Sequence, residues 1–247
     1  MPDFMAVPPS PCVVGYNQTV AVAKGKFIAL AVQFEGTDGG AVPVTNLIQM
    51  ASPAGGGSIG GNTDQIWRWN TPSADWDKYF YRSGRGVTNP GWTKAGETAP
   101  TTDTINAGET VFFSRAGSAA AVLTLSGGVK EYSAEPSYSV AKGKFVFMGY
   151  PWPMEFAITN LTSCYTTGTP AGGGSIGGNT DQVWRWNTAA ADWDKYFYRS
   201  GRGVDNPGWT KAGQTAPTED VIPIGEGFFF SRAGSTTVTI TFANAGE

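Results

Sequence analysis

Histidine is absent from the 247 residues, which removes Ser-His-Asp and Cys-His catalysis, His-ligated zinc and the usual neutral-pH proton shuttle. Cysteine occurs only at Cys12 and Cys164, too few for a Cys-based metal cluster. Charge is scarce: Asp, Glu, Lys and Arg make up 15% of the chain, the net charge is −3, and no run of Lys or Arg stands out. Nucleic acid and anionic membrane are therefore poor partners. No apolar stretch reaches bilayer-spanning length, so no membrane insertion is expected. The opening MPDFMAVPPSPCVVGY has neither a basic n-region nor an apolar h-region and does not read as a signal peptide. The expectation is a protein that is not an enzyme and carries no cofactor or metal.

What the chain does contain is glycine, 34 residues of it, and aromatic rings at 13%. Hydroxyl and amide side chains are abundant. This is the composition of an all-β protein with many turns. Few charges among many Gly, Thr, Ser and Asn suit an extracellular or cell-surface location.

One unit is used twice. Residues 54–118 match 171–235 at a constant offset of 117 and differ only at positions 66, 72, 73, 88, 97, 102, 104, 106, 107, 110 and 111. VAKGKF at 22–27 returns at 140–145, and TNL at 45–47 returns at 159–161. AAAVLTLSGG at 119–128 corresponds to TTVTITFANA at 236–245. Segments 31–53 and 149–170 have drifted in sequence and length. Each copy has an ordinary domain size, so the chain divides into an extended N-terminal arm, 1–12, a first β domain, 13–130, and a second, 131–247. Pro8, Pro9 and Pro11 keep the arm out of helix.

Within a copy the hydrophobic period is 2. In QIWRWN, Trp67 and Trp69 project to one face and Arg68 to the other. In KYFYRS, Tyr79 and Tyr81 share a face. NTPSAD joins these strands as a hairpin, and Asn89-Pro90-Gly91 reads as a type II turn. With KFIALAVQF, VFFSR and AVLTLS, each copy holds seven or eight strands, and no segment has helical spacing. Two tandem antiparallel β-sandwiches or open barrels are expected.

The order VVGY, VAKGKF, a tryptophan hairpin (QIWRWN…WDKYFYR), GW, then a Gly-Glu turn into FFF or VFF with SRAGS and a closing strand resembles a family of exported β-rich repeat domains from bacteria of the planctomycete and verrucomicrobial kind. The likeness runs through both copies; PIGEGFFF in the second lies closer to the pattern than NAGETVFF, and AEPSY replaces VVGY there. The resemblance implies an envelope or extracellular place and a structural or adhesive use, with no catalytic residues.

The strongest candidates for function are aromatic: Trp67, Trp69, Trp76, Tyr79, Tyr81 and Trp92, recurring as Trp184, Trp186, Trp193, Tyr196, Tyr198 and Trp209. They suit core or subunit packing, or a stacking platform for sugar rings. Asp75 and Asp77, with Asp192 and Asp194, are close carboxylates, but beside a turn they suit turn chemistry and ion pairs to Lys78 and Arg82 better than hydrolysis. AGGGSIGGNTD lacks a phosphate-loop ending and reads as a connection needing positive φ, or as an ion site through Asn62 and Asp64. Cys12 and Cys164 fall opposite Lys130 and Met50, so neither belongs to the shared fold. A bond between them would pin the arm to the second domain; two buried thiols are the alternative.

Folding alone does not require the polar surface of the 54–118 block to stay identical in both copies. A recent or homogenised partial duplication would leave it identical with no function; alternatively, both copies make the same contact. The expected function is a structural subunit that associates with itself, head to tail, into an extracellular filament, tube or surface layer. The alternative is a bivalent carbohydrate-binding adhesin, with polysaccharide as partner.

Overall fold

The computed structural model describes residues 15–36, 38–57, 62–129, 135–174 and 179–243. The N-terminal arm and Cys12 lie outside these residues, as does the junction at 130–134. Among the described residues strand dominates, all pairings within sheets are antiparallel, and no sheet closes into a barrel.

Each copy is an antiparallel sandwich. In the first, β2 (Phe27–Ala31), β9 (Thr110–Ser114), β5 (Gln65–Asn70), β6 (Asp75–Arg82) and β7 (Gly91–Lys94) form a five-stranded sheet in that spatial order. Over one face of it lies a three-stranded sheet of β1 (Gly15–Val22), β10 (Ala121–Val129) and β3 (Phe34–Glu35). Short strands β4 (Val42–Pro43) and β8 (Thr104–Ile105) pair at the flank. The second copy repeats the order with β12 (Phe145–Gly149), β19 (Gly227–Ser231), β15 (Gln182–Asn187), β16 (Asp192–Arg199) and β17 (Gly208–Lys211). Its smaller sheet is β11 (Ser137–Val140), β20 (Val238–Thr241) and β14 (Tyr165–Thr167), and β13 (Phe156–Ala157) pairs with β18 (Val221–Ile222).

The tryptophan hairpin forms as its alternation predicts, with Trp69 opposite Trp76 and Trp186 opposite Trp193. Its turn is closed by Ala74 and Ala191, at φ of 52° and 54°, stabilised by the strand register on either side rather than by glycine. Gly91 opens β7 at φ of 155°, well beyond the roughly +80° of the expected type II turn.

Helix does occur, in the drifted segments: one α-helical turn, α1 (Val44–Leu47), and a 3-10 helix, Ile158–Cys164. Both are too short to carry a 3.6-residue period, so the sequence gives no sign of them. The drift also changes the third strand of the small sheet. In the first copy it is β3; in the second it is β14, whose counterpart in the first copy is reduced to a single bridge, Gln49 to Thr124.

Each sandwich has its own core. Leu30, Ile66, Tyr79, Trp92, Val111 and Phe113 pack against Val22, Leu123 and Leu125 in the first. Met148, Val183, Tyr196, Trp209, Phe228 and Phe230 pack against Val140, Val238 and Ile240 in the second. Beneath each core lies a buried ion pair. Asp64, fully excluded from solvent, binds Arg115 at 2.5 Å and accepts the backbone N–H of Ala54 and Ala116, each at 2.8 Å. Asp181 and Arg232 repeat the arrangement at 2.6 Å. Burial of a carboxylate is tolerated here because a guanidinium and backbone donors together saturate it. Asp64 thus staples the glycine-rich connection to the RAGS turn, and Asn62 is exposed away from it.

Candidate functional site

The two five-stranded sheets face one another, and a third apolar cluster fills the space between them. It contains Ala29, Phe112, Phe147 and Phe229, fully or nearly buried, with Phe27, Trp67, Trp69, Trp76, Phe145, Trp184, Trp186 and Trp193 around them. The reason lies in strand alternation. On β9, Val111 and Phe113 point into the sandwich core, so Phe112 must point out of it; on β5, Ile66 points in and Trp67 and Trp69 point out. A sheet apolar on both faces needs a second cover, and the other copy supplies it.

The contacts are reciprocal. Trp69 Nε1 donates to the Phe145 carbonyl at 3.0 Å, and Trp186 Nε1 donates to the Phe27 carbonyl at 3.0 Å. The Ala31 N–H donates to the Gly225 carbonyl at 2.8 Å, and the Gly149 N–H to the Gly108 carbonyl at 3.3 Å. Trp69 meets Phe229 edge-on at 5.5 Å between centroids, and Trp186 meets Phe112 edge-on at 5.8 Å. Since Phe27 and Phe145, Trp69 and Trp186, and Phe112 and Phe229 are repeat equivalents, this is an isologous, pseudo-twofold interface. The tandem copies face each other about this axis rather than following one another by translation.

Near the pseudo-axis a residue meets its own equivalent, and the copies differ there. A Cβ on Gly149 would collide with Ala31, and one on Gly227 would collide with the Thr110 side chain. Phe147 stacks on both Phe112, at 4.9 Å, and Phe229, at 4.4 Å, while its equivalent is Ala29. At Ala31–Gly149 and Thr110–Gly227 a larger residue therefore meets a smaller equivalent. Gln33, buried in the first copy, adds an unmatched clamp: its Nε2 donates to the carbonyls of Tyr150 at 2.8 Å and Trp152 at 2.7 Å.

The twelve aromatics named from sequence thus divide. Trp67, Trp69, Trp76, Trp184, Trp186 and Trp193 line the interface between the copies. Tyr79, Trp92, Tyr196 and Trp209 are buried in the cores, with Tyr81 and Tyr198 packed half-buried against them. Lys78 and Lys195 lie over Trp67 and Trp184 at 4.6 and 4.5 Å. The phenylalanines of the interface, Phe27, Phe112, Phe145, Phe147 and Phe229, were not singled out from sequence. The unbroken apolar runs VFF and GFFF were the available signal, since a strand covered on both faces loses its alternation.

The carboxylates are engaged in pairs other than those expected. Asp77 lies 3.3 Å from Lys94, not from Lys78 or Arg82, and Asp75 accepts the Trp76 N–H. Lys94 also binds Asp103 at 2.9 Å, which accepts the Tyr79 hydroxyl at 2.8 Å. The hydrogen bond from Lys94 holds the Asp103 carboxyl below its usual value. Arg68 pairs with Glu109 at 2.7 Å and Arg185 with Glu226 at 3.2 Å, and burial pushes Glu226 up. Cys164 is a buried thiol with its Sγ 3.5 Å from the Asn160 carbonyl, and burial raises it to about 11. Its proposed partner Cys12 lies outside the described residues. Among the described residues, no cluster of three or more His, Cys, Asp or Glu could hold a metal ion, and no helix is long and apolar enough to cross a membrane.

The pseudo-twofold generates two crevices between the copies, and they differ. One is bridged by Tyr138, whose hydroxyl donates to the Gly108 carbonyl at 2.7 Å. In the other, Val20 stands where Tyr138 does, and a crevice of 390 Å³ remains, lined by Gln18, Val20, Trp186, Arg185, Asp194 and Glu226 among others. No family model, curated protein or solved structure matches the chain.

Proposed function

We propose that this chain is a non-catalytic structural subunit that associates with itself outside the cytoplasm, in a filament, tube or surface layer. The observation that carries the reading is an identity without an internal cause. Arg85, Asn89, Pro90 and Ala95 are exposed in the first copy, and the identical Arg202, Asn206, Pro207 and Ala212 are exposed in the second, whereas the glycines among them are held identical by their left-handed φ. The interface between the copies accounts for the invariant tryptophans. It does not account for these four exposed side chains, whose substitution costs folding little.

Loops that make the same external contact would be held identical. A chain with a pseudo-twofold presents two like surfaces, and joining like to like propagates from subunit to subunit, into a filament or a ring as the rotation dictates, because each subunit has two of them. Self-association therefore runs through paired, equivalent ends rather than through the head-to-tail contact of a translational repeat. The adhesin reading has less support, because the rings that would form its platforms lie between the copies or in their cores. The extracellular setting rests on the scarcity of charge and on the family resemblance.

Electron microscopy of the protein over rising concentration tests the reading. Ordered polymers are expected, and Arg85→Glu with Arg202→Glu should abolish them while leaving the fold intact. A monodisperse monomer at every concentration would sink it.

A further inference from the structure

We propose that the open crevice between the copies is a binding site for a neutral, polyhydroxylated ligand, one or two sugar rings in size. The proposal does not depend on self-association.

Duplication supplies an internal control. Both crevices are built from equivalent strands, and both carry the Arg–Glu pair, the invariant tryptophan and the hairpin aspartate. Across the other crevice a tyrosine stands at one strand position, and its hydroxyl reaches the opposite loop. In the open one the same strand position is Val20, and Gln18 donates instead to the Ile224 carbonyl at 3.1 Å. A 390 Å³ space survives, within the range of small-ligand pockets.

The lining selects the ligand class. Arg185 is neutralised by Glu226 at 3.2 Å, and Asp194 by Lys211 at 3.3 Å, so no net charge awaits an ion. An anion would meet both carboxylates, and a cation would meet Arg185. What remains on offer is a mixed set of donors and acceptors: the Gln18 amide, the guanidinium, two carboxylates, and the Asn187 amide, which binds Asp194 at 3.3 Å. Beside them stand the apolar surfaces of Val20 and Trp186. A pyranose has this complement, with hydroxyls that donate and accept around the rim and C–H faces that lie on an indole.

Saturation-transfer NMR of the full chain tests this with methyl glucoside, methyl galactoside, methyl mannoside and cellobiose. At least one is expected to receive saturation from the protein. Gln18→Ala with Val20→Tyr, which removes the amide and sets at position 20 the tyrosine of the bridged crevice, should abolish the transfer. Asp194→Asn should weaken binding roughly tenfold, the loss of one charge-assisted hydrogen bond. Asp77→Asn, the same change at the bridged crevice, should leave binding unaltered, and so separates a site effect from a structural one. No transfer from any of the four sugars, or equal transfer in the double variant, or equal loss in the two asparagine variants, would overturn the proposal.

Discussion

At Asp64 a carboxylate with no solvent contact is held by Arg115 and by backbone donors, and Asp181 with Arg232 does the same in the second copy. Removing one partner of such a pair leaves the other buried and unpaired, at a cost of about 3–5 kcal/mol. Arg115→Met is therefore expected to lower the urea midpoint sharply, whereas Arg85→Glu, at an exposed loop position, should leave it nearly unchanged. The half-exposed carboxylates act through pH. Lys94 lowers Asp103, and Tyr196, followed by Lys211, lowers Asp220. A depressed carboxyl contributes stability that is complete above its unfolded value of 3.8 and is lost as pH falls through the lower folded value. Glu226 has the opposite sign: raised by burial, it weakens the fold as pH rises past 4.5. Melting temperature followed below pH 4 should fall, and Asp103→Asn with Asp220→Asn should flatten that fall. None of these partners was readable from the chain. Asp64 looked like a loop residue among glycines, and its guanidinium is 51 residues away in sequence.

Among the strands, the interface is decided by what meets its own equivalent. Thr110 and Gly227 occupy the same position in the two copies, as do Ala31 and Gly149. Gly227→Thr would place two threonines in space for one, and such overpacking costs about 1–3 kcal/mol. The double change Thr110→Gly with Gly227→Thr should recover much of that loss in chemical denaturation, because it restores one large and one small residue at the axis. Failure of the double change to recover any stability would argue against the axial pairing. Phe229→Ala, which removes a ring stacked on Phe147 at 4.4 Å, should cost about 3–5 kcal/mol. The strands themselves were plain in sequence, because period-2 runs bounded by glycine and proline leave little choice. Their destination was not. Alternation shows that Trp67 and Trp69 share a face, and the run VFF shows that both faces of β9 are covered, but nothing local says that the cover is the other copy.

Across the whole molecule, the copies are joined by a cluster of aromatic rings, reciprocal indole hydrogen bonds and the Gln33 clamp. An interface this apolar resembles a domain core divided in two, and it predicts that neither sandwich melts alone. Duplication could be seen in the sequence by alignment; the facing arrangement could not, because identical copies are compatible with translation and with a twofold alike. A twofold consumes the aromatic faces within the chain and leaves the two copies of the exposed loops outside. Scanning calorimetry measures the joining directly. One transition is expected, with calorimetric and van't Hoff enthalpies equal and near 170 kcal/mol, at about 0.7 kcal/mol per residue around 60 °C. Two separable transitions, or a van't Hoff enthalpy twofold below the calorimetric one, would show two sandwiches that unfold independently and would contradict the account.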